Sequence, residues 1–382
     1  MEFVLATDEF IINKLSYPGF PLILNRKMEL IPEIFEFLIK ECITRGRVES
    51  RHTWRAYGQS MYDYFSFLEA NDNWDWKEIK LDRGETILSA YRDWSISSVG
   101  LKTSTVNYRL RIIISFYKFS LKRGWISTLP YELEEVAVRP IKDFLVHARK
   151  YQRVAVSPDV MLKTKQTSIQ VLSLNQIKIF LNTITNPTQK LIARMALQTG
   201  LRKDELVTFP LKYIRNPNSN NTQTFFVVLL DPMEMRTKGS KERKIHIPLK
   251  LMSDLWEYTL HERYQLEISG GKRQVKLFLN RYGQPYANSG LSLNKLWDGL
   301  GLDFKVGPHI LRHTYATHTL YELRKKNDIG VDPLIYVRNR LGHSSVVTTQ
   351  KYLHLLDDIE DDLMNAYQDE IDRCSFGAEH AQ

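Results

Sequence analysis

Between residues 139 and 165 the hydrophobic patterning of this chain breaks down, and no other feature of the sequence constrains its fold as much. The segment holds seven Lys or Arg against two acidic residues, with Pro140 and Pro158 at positions that oppose helix. Such a stretch separates independently packed regions, and 382 residues suffice for two domains. It reads as a basic linker over residues 138–168, either solvated or extended along a polyanion, with Arg149, Lys150 and Arg153 as candidate phosphate contacts.

Ahead of the break, residues 1–40 mix short apolar runs with Pro18, Gly19, Pro21 and Pro32 and read as an extension with some helix near Glu33 to Lys40. From Arg47 onward the period is helical. Trp54, Tyr57, Met61, Tyr64, Phe65 and Leu68 recur at three- and four-residue steps and line one face. A second helix is expected over Arg83 to Ser95. A third is expected from Thr103 or Ser104 to the residue before Gly124, with Val106, Leu110, Ile113, Tyr117 and Leu121 inward. Arg109, Arg111, Lys118 and Lys122 on that third helix are a solvated face or a DNA contact. Nothing in residues 41–137 reads as strand, so an all-helical domain is expected there.

Past the break, Ser173 with Gln176 three residues on forms a capping box that opens a helix, and a second helix ends at Gly200. Thr224 to Leu230 and Arg243 to Pro248 read as two strands around a cationic turn, and helices are expected over most of the remainder. Near the end, Leu355, Ile359, Leu363, Tyr367 and Ile371 form a four-residue stripe in a segment, 355–372, with eight acidic residues and no Lys or Arg. A helix that acidic should avoid DNA and dock its stripe on protein, in its own subunit or a neighbouring one.

Net charge is +9, which favours phosphate-rich partners without proving one. Cys42 and Cys374 have no metal or disulfide spacing, the N-terminal residues lack a signal-peptide pattern, and no apolar run is long enough to span a bilayer. The expected setting is an aqueous, reducing, DNA-containing compartment, the cytoplasm, with no membrane.

Four fragments carry the chemistry: TGLRKDEL around Arg202, RTKGSKERKIHIP around Lys238, HILRHTYATH from His309, and LGHSSVVTTQKYLH through His343 and Tyr352. HxxRH, then LGH, then a tyrosine nine residues past that histidine, with GLRxxEL upstream, is a joint pattern that chance rarely supplies. In order and spacing it resembles the tyrosine recombinase (lambda-integrase-type) family over residues 170–355, and the helical region before the break resembles that family's core-binding domain more loosely.

The resemblance implies a multidomain protein: an all-α core-binding (SAM-like) domain over 41–137, the linker, and a mainly helical α+β catalytic domain over 169–382 with a small antiparallel sheet. It implies site-specific DNA recombination with Tyr352 as nucleophile, Arg202 and Arg312 clamping the phosphate, and Lys238 as general acid, Lys241 being the alternative. It makes His309 and His343 hydrogen-bonding histidines, with Glu205 and His313 in support. Guanidiniums suit the charge that gathers on the non-bridging oxygens, and the departing 5′-hydroxyl needs a proton. Lys241 and Arg243 are further expected DNA contacts. Duplex DNA and a tetramer synapsing two sites are the expected partners, with strand exchange through a Holliday junction and no cofactor or metal. His309 and His313 are four apart, as in zinc proteases, but Ile310 stands where that pattern requires Glu. The rivals are a type IB topoisomerase, a telomere resolvase, or a DNA-binding module without catalysis.

Overall fold

The structure, a computed structural model, describes residues 1–46, 50–72, 74–78, 85–137, 154–164, 169–219, 224–237, 239–287, 291–325, 330, 332–343 and 345–353. The chain forms two compact units, Met1–Gln166 and Thr167–Gln382.

The first unit opens with strands. β1 (Glu2–Leu5) pairs antiparallel with β4 (Pro21–Leu24), Phe3 opposite Ile23, and between them β2 (Ile11–Ile12) pairs with β3 (Leu15–Ser16). Next come α1 (Pro32–Leu38), which runs into a π-helical turn over Ile39–Thr44, then α2 (Arg51–Ala70), α3 (Ile87–Ser97) and α4 (Thr103–Arg123). Phe20, Ile23, Ile34, Phe37 and Leu38 are buried in the same core as Trp54, Met61, Tyr64 and Tyr117. Residues 1–40 are therefore an integral layer of the first unit and not an appended extension. Gly58 shows how closely the layer sits: a Cβ there would lie 2.3 Å from Pro21 Cβ, so α2 carries glycine despite its helix cost of roughly 1 kcal/mol. Inside, the Tyr64 and Tyr117 hydroxyls meet at 2.5 Å, and the Tyr117 hydroxyl donates to the Trp76 carbonyl at 2.9 Å, so neither buried phenol lacks a partner.

The expectation of an all-helical region over 41–137 is corrected at its end. β5 (Leu133–Ala137) pairs antiparallel with β6 (Val154–Pro158), so the far side of the basic segment returns to the first unit. Asn107 of α4 then pins residue 162 by a reciprocal pair, its amide donating to the Leu162 carbonyl at 2.8 Å and its oxygen accepting from the Leu162 amide at 2.9 Å. Arg149, Lys150 and Arg153 lie outside the described residues.

The second unit holds α5 (Leu174–Thr183), α6 (Pro187–Thr199), α7 (Lys203–Val207), β7 (Phe225–Leu230), β8 (Arg243–Pro248), α8 (Leu249–Leu260), α9 (Glu262–Ser269), α10 (Leu291–Asp298), α11 (Pro308–Lys325), α12 (Pro333–Leu341) and α13 (Val347–Gln350). The Ser173–Gln176 capping box forms at the start of α5. β7 and β8 pair antiparallel with Val227 opposite His246; Phe226, Val228, Leu230, Ile245 and Ile247 face inward. α6 is buried on every side from Leu191 to Thr199 and packs on α11, which makes these two the central helices. The described architecture is mostly helical with small antiparallel sheets. Among the described residues no helix is long and apolar enough to cross a membrane. The acidic segment 355–372 lies outside them.

Candidate active site

Two glycine-terminated helices set the geometry. α6 ends at Gly200 and α12 at Gly342, both left-handed with φ of 63° and 62°. A Cβ on Gly200 would lie 2.3 Å from the Tyr315 ring, and one on Gly342 would lie 2.9 Å from Arg243 Cδ, so contact as well as conformation demands glycine at both. Arg312, on α11 between these ends, donates to the Gly200 carbonyl and to the Leu341 carbonyl, each at 2.5 Å. One guanidinium thus ties the orphan carbonyls of two helix ends together. Burial, and then the neighbouring Arg202 cation, push it down to about 9, which leaves it charged at neutral pH.

Two residues past Gly200, Arg202 is the N-cap of α7. Its amide donates to Glu205 Oε2 at 2.7 Å, its Nη1 to Glu205 Oε1 at 3.1 Å, and its Nη2 to the Gly342 carbonyl at 3.4 Å. Glu205 is 1% exposed and also receives both terminal nitrogens of Arg243, while Arg243 Nε donates to the Arg340 carbonyl at 3.0 Å. Burial alone would raise the Glu205 carboxyl; the paired Arg243 and the Arg202 amide and charge outweigh it and hold it below the ordinary carboxylate range.

Tyr352 follows α13 and is completely buried. Its hydroxyl lies 2.9 Å from His313 Nδ1, and its ring runs parallel to that of His343, centroids 6.3 Å apart and planes 14° apart. Burial pushes the phenol up to about 12, opposed by the positive charges of Arg312 and Arg202. His343 shares a 3.0 Å hydrogen bond with Thr349 Oγ1 and is pushed down to about 3 by burial and then by Arg312. Lys351 Nζ sits 5.4 Å from the Tyr352 ring centroid. Lys241, Lys244, Arg338 and Arg340 join Arg202 and His343 around a groove of about 580 Å³.

Arg202, Arg312, His343 and Tyr352 thus come together, with Glu205 beneath Arg202. His309 is exposed one turn ahead of His313, ring centroids 6.4 Å apart. Lys238 lies outside the described residues; Lys241, the alternative, is exposed on the groove. One expectation changes. Arg243 is no surface DNA contact: it is 8% exposed and holds Glu205. His313, expected as a support beside Arg312, contacts the phenol of Tyr352 directly. The burial of Arg243 was readable in RKIHIP, where it shares an inward face with Ile245 and Ile247 at two-residue steps. The Thr349 contact to His343 had no such signal. Among the described residues no three His, Cys, Asp or Glu side chains gather as a metal cluster.

On the first unit, Ser104, Tyr108, Arg111, Lys118 and Lys122 are exposed at spacings that place them along one face of α4. Arg109 turns away from that stripe and pairs with Asp63, which also accepts from the Tyr91 hydroxyl at 2.6 Å. Arg109, expected among the DNA contacts, is thus engaged in a partly buried ion pair within the first unit.

Residues 170–358 match the phage integrase family. Transposase A from transposon Tn554 of Staphylococcus aureus is 27% identical over 374 residues, covering 94% of this chain and 95% of that protein. Tyrosine recombinase XerA of Saccharolobus solfataricus is 31% identical over 231 residues, 59% of this chain and 66% of that protein. The fold resembles that of XerH site-specific recombinase bound to palindromic difH substrate, with a TM-score of 0.54 at 17% identity over 85% of this chain and 92% of that one. It also resembles the Tn1549 transposon integrase in complex with transposon right end DNA, with a TM-score of 0.53 at 17% identity over 84% and 94%. Family match, near-full-length relatives and fold agree, and this chain belongs to the phage integrase family of tyrosine recombinases.

Proposed function

We propose that the chain is a site-specific DNA recombinase that cuts and rejoins duplex DNA through a covalent 3′-phosphotyrosine at Tyr352. The observation that carries this reading is convergence: a phenol after α13, guanidiniums from the start of α7 and from α11, and histidines from α11 and the end of α12 gather around one another. Nucleophile, charge stabilisers and proton carriers are the parts that phosphoryl transfer to a tyrosine requires.

In this reading Arg202 and Arg312 hold the non-bridging oxygens of the scissile phosphate. Tyr352 attacks phosphorus, the bond to the 5′ oxygen breaks, and a hairpin ammonium, Lys238 or Lys241, protonates the leaving oxygen. The phosphotyrosine retains the energy of the broken phosphodiester, so rejoining needs no cofactor. His309 and His343 hydrogen bond the phosphate. The exposed stripe Arg111, Lys118 and Lys122 contacts DNA phosphates, in keeping with the DNA-bound relatives of the same fold. Four protomers synapse two sites and exchange strands through a Holliday junction, the acidic segment 355–372 docking on a neighbouring subunit.

The test is trapping on a nicked suicide substrate that carries the recombination site. Wild-type protein should become covalently linked to DNA, and Tyr352→Phe should bind without linking. Plasmid relaxation independent of any specific site would instead make the protein a topoisomerase.

A further inference from the structure

We propose that His313 is a catalytic residue: it takes the phenol proton of Tyr352 as the tyrosine attacks the phosphate, and returns it when the strand is rejoined. The inference rests on Tyr352 being the nucleophile, and it sets His313 apart from His309 and His343, which hydrogen bond the phosphate.

Geometry separates the three histidines. His313 Nδ1 lies 2.9 Å from the phenol oxygen. The Nδ1 of His343 is engaged by Thr349 Oγ1 at 3.0 Å, and its ring lies alongside the phenol ring. His309 stands one helical turn from His313 on the exposed side.

The phenol needs such a partner. With its proton held up to about 12, only about one Tyr352 in 10⁵ is ionised at pH 7, and the residue is buried away from water. Attack by the intact phenol would leave a positively charged bridging oxygen, so the proton must depart as the O–P bond forms. His313 is ready to receive it. Burial, followed by the electrostatic influence of Lys351, His309 and Arg312, lowers it to about 4, and His343 faces it from the end of α12. It is therefore neutral across the physiological range, and in the tautomer with hydrogen on Nε2 its Nδ1 accepts from the hydroxyl. A scissile phosphate arriving among these cations adds negative charge, which raises the imidazolium pKa and lets one ring be base before transfer and acid after it. The step balances: the O–H bond of Tyr352 breaks, Nδ1–H and O–P bonds form, the P–O5′ bond breaks, and the 5′ oxygen takes its proton from the hairpin ammonium. Rejoining reverses each change.

The test uses full-length protein with the suicide substrate, and a second substrate whose leaving 5′ oxygen is replaced by sulfur, which departs without an acid. Gel shift first verifies that His313→Asn and His313→Gly bind the site as wild type does. Covalent trapping should slow by about 100-fold at pH 7 in both, on both substrates. Their rates should climb about tenfold per pH unit from 7 to 9, where wild type is flat, and added imidazole should speed His313→Gly. Trapping near the wild-type rate overturns the proposal. So does recovery on the sulfur substrate, which would assign His313 to the leaving group, or a loss that is the same at every pH and blind to imidazole, which would make it structural. Covalent linkage by Tyr352→Phe would instead defeat the nucleophile assignment itself.

Discussion

Helix α4 and the pocket around Tyr352 both draw on arginine and lysine, yet they turn their cations in opposite directions. On α4, Arg111, Lys118 and Lys122 face water. There a charge keeps its solvation, holds no fixed geometry, and acts over about 8 to 10 Å before salt screens it. Around the pocket, Arg312 and Arg243 have been drawn inside, 4% and 8% exposed. A buried guanidinium must find oxygen partners, and those partners fix its position. The same residue type therefore gives adjustable attraction on one surface and rigid placement in the other.

Arg312→Lys is the sharpest way to break that contrast. It keeps the charge but cannot reach the Gly200 and Leu341 carbonyls with one planar fork. If fixed placement matters more than charge, covalent trapping should fall by about 10² to 10³-fold with DNA affinity little changed. A lysine variant trapping within a few fold of wild type would show that charge alone suffices.

Comparable in size is the effect at the Arg243–Glu205 pair. Arg243→Met leaves Glu205, 1% exposed, with Arg202 as its remaining cationic partner, and should cost about 3 to 5 kcal/mol in urea unfolding. Glu205→Leu combined with Arg243→Met removes both buried charges and should recover most of that stability. Cleavage by the double variant should stay low, because the Arg202 amide and guanidinium lose the carboxylate that orients them. Recovery of both stability and cleavage would mean that the pair serves the fold alone.

What the sequence made legible follows the same division. Short-range chemistry could be read: the Ser173 capping box, the Gly200 helix end, the two strands around the cationic turn, and the motif order that brought Arg202, Arg312, His343 and Tyr352 together. Pairings between distant residues could not. β5 and β6 find each other across a basic, aperiodic segment, and β1–β4 are too short to show a period, so the first unit read as helical. The partners of Arg109 and His313 lie 46 and 39 residues away, beyond the reach of any local pattern.

A buried histidine tests the interior from a different side. His318 is 1% exposed, shares a 2.9 Å hydrogen bond with the Leu172 carbonyl, and is lowered by burial from 6.5 to about 4. A group depressed on folding contributes stability above its unfolded pKa and loses it as pH falls toward the folded value, because the unfolded chain binds the proton first. Between pH 7.5 and 5 the second unit should lose about 2 kcal/mol through this residue alone. The check is the urea midpoint at the two pH values for wild type and for His318→Asn, whose dependence should be shallower. An equally steep dependence in the variant would place the acid sensitivity elsewhere.

The smallest effect isolates the contrast on a single helix. Lys118→Ala removes an outward cation, and if it meets a phosphate, DNA affinity should drop a few fold while the slope of log affinity against log salt shrinks by about 0.9. Arg109→Ala removes a neighbouring cation that is already committed to Asp63. It should leave the salt slope unchanged and cost about 1 kcal/mol or less of stability, since the pair is partly solvated. Two cations nine positions apart on α4 would then separate binding from packing with no change in residue class. Equal salt slopes for the two variants would erase the distinction and move the DNA-contacting face away from the Arg111–Lys118–Lys122 stripe.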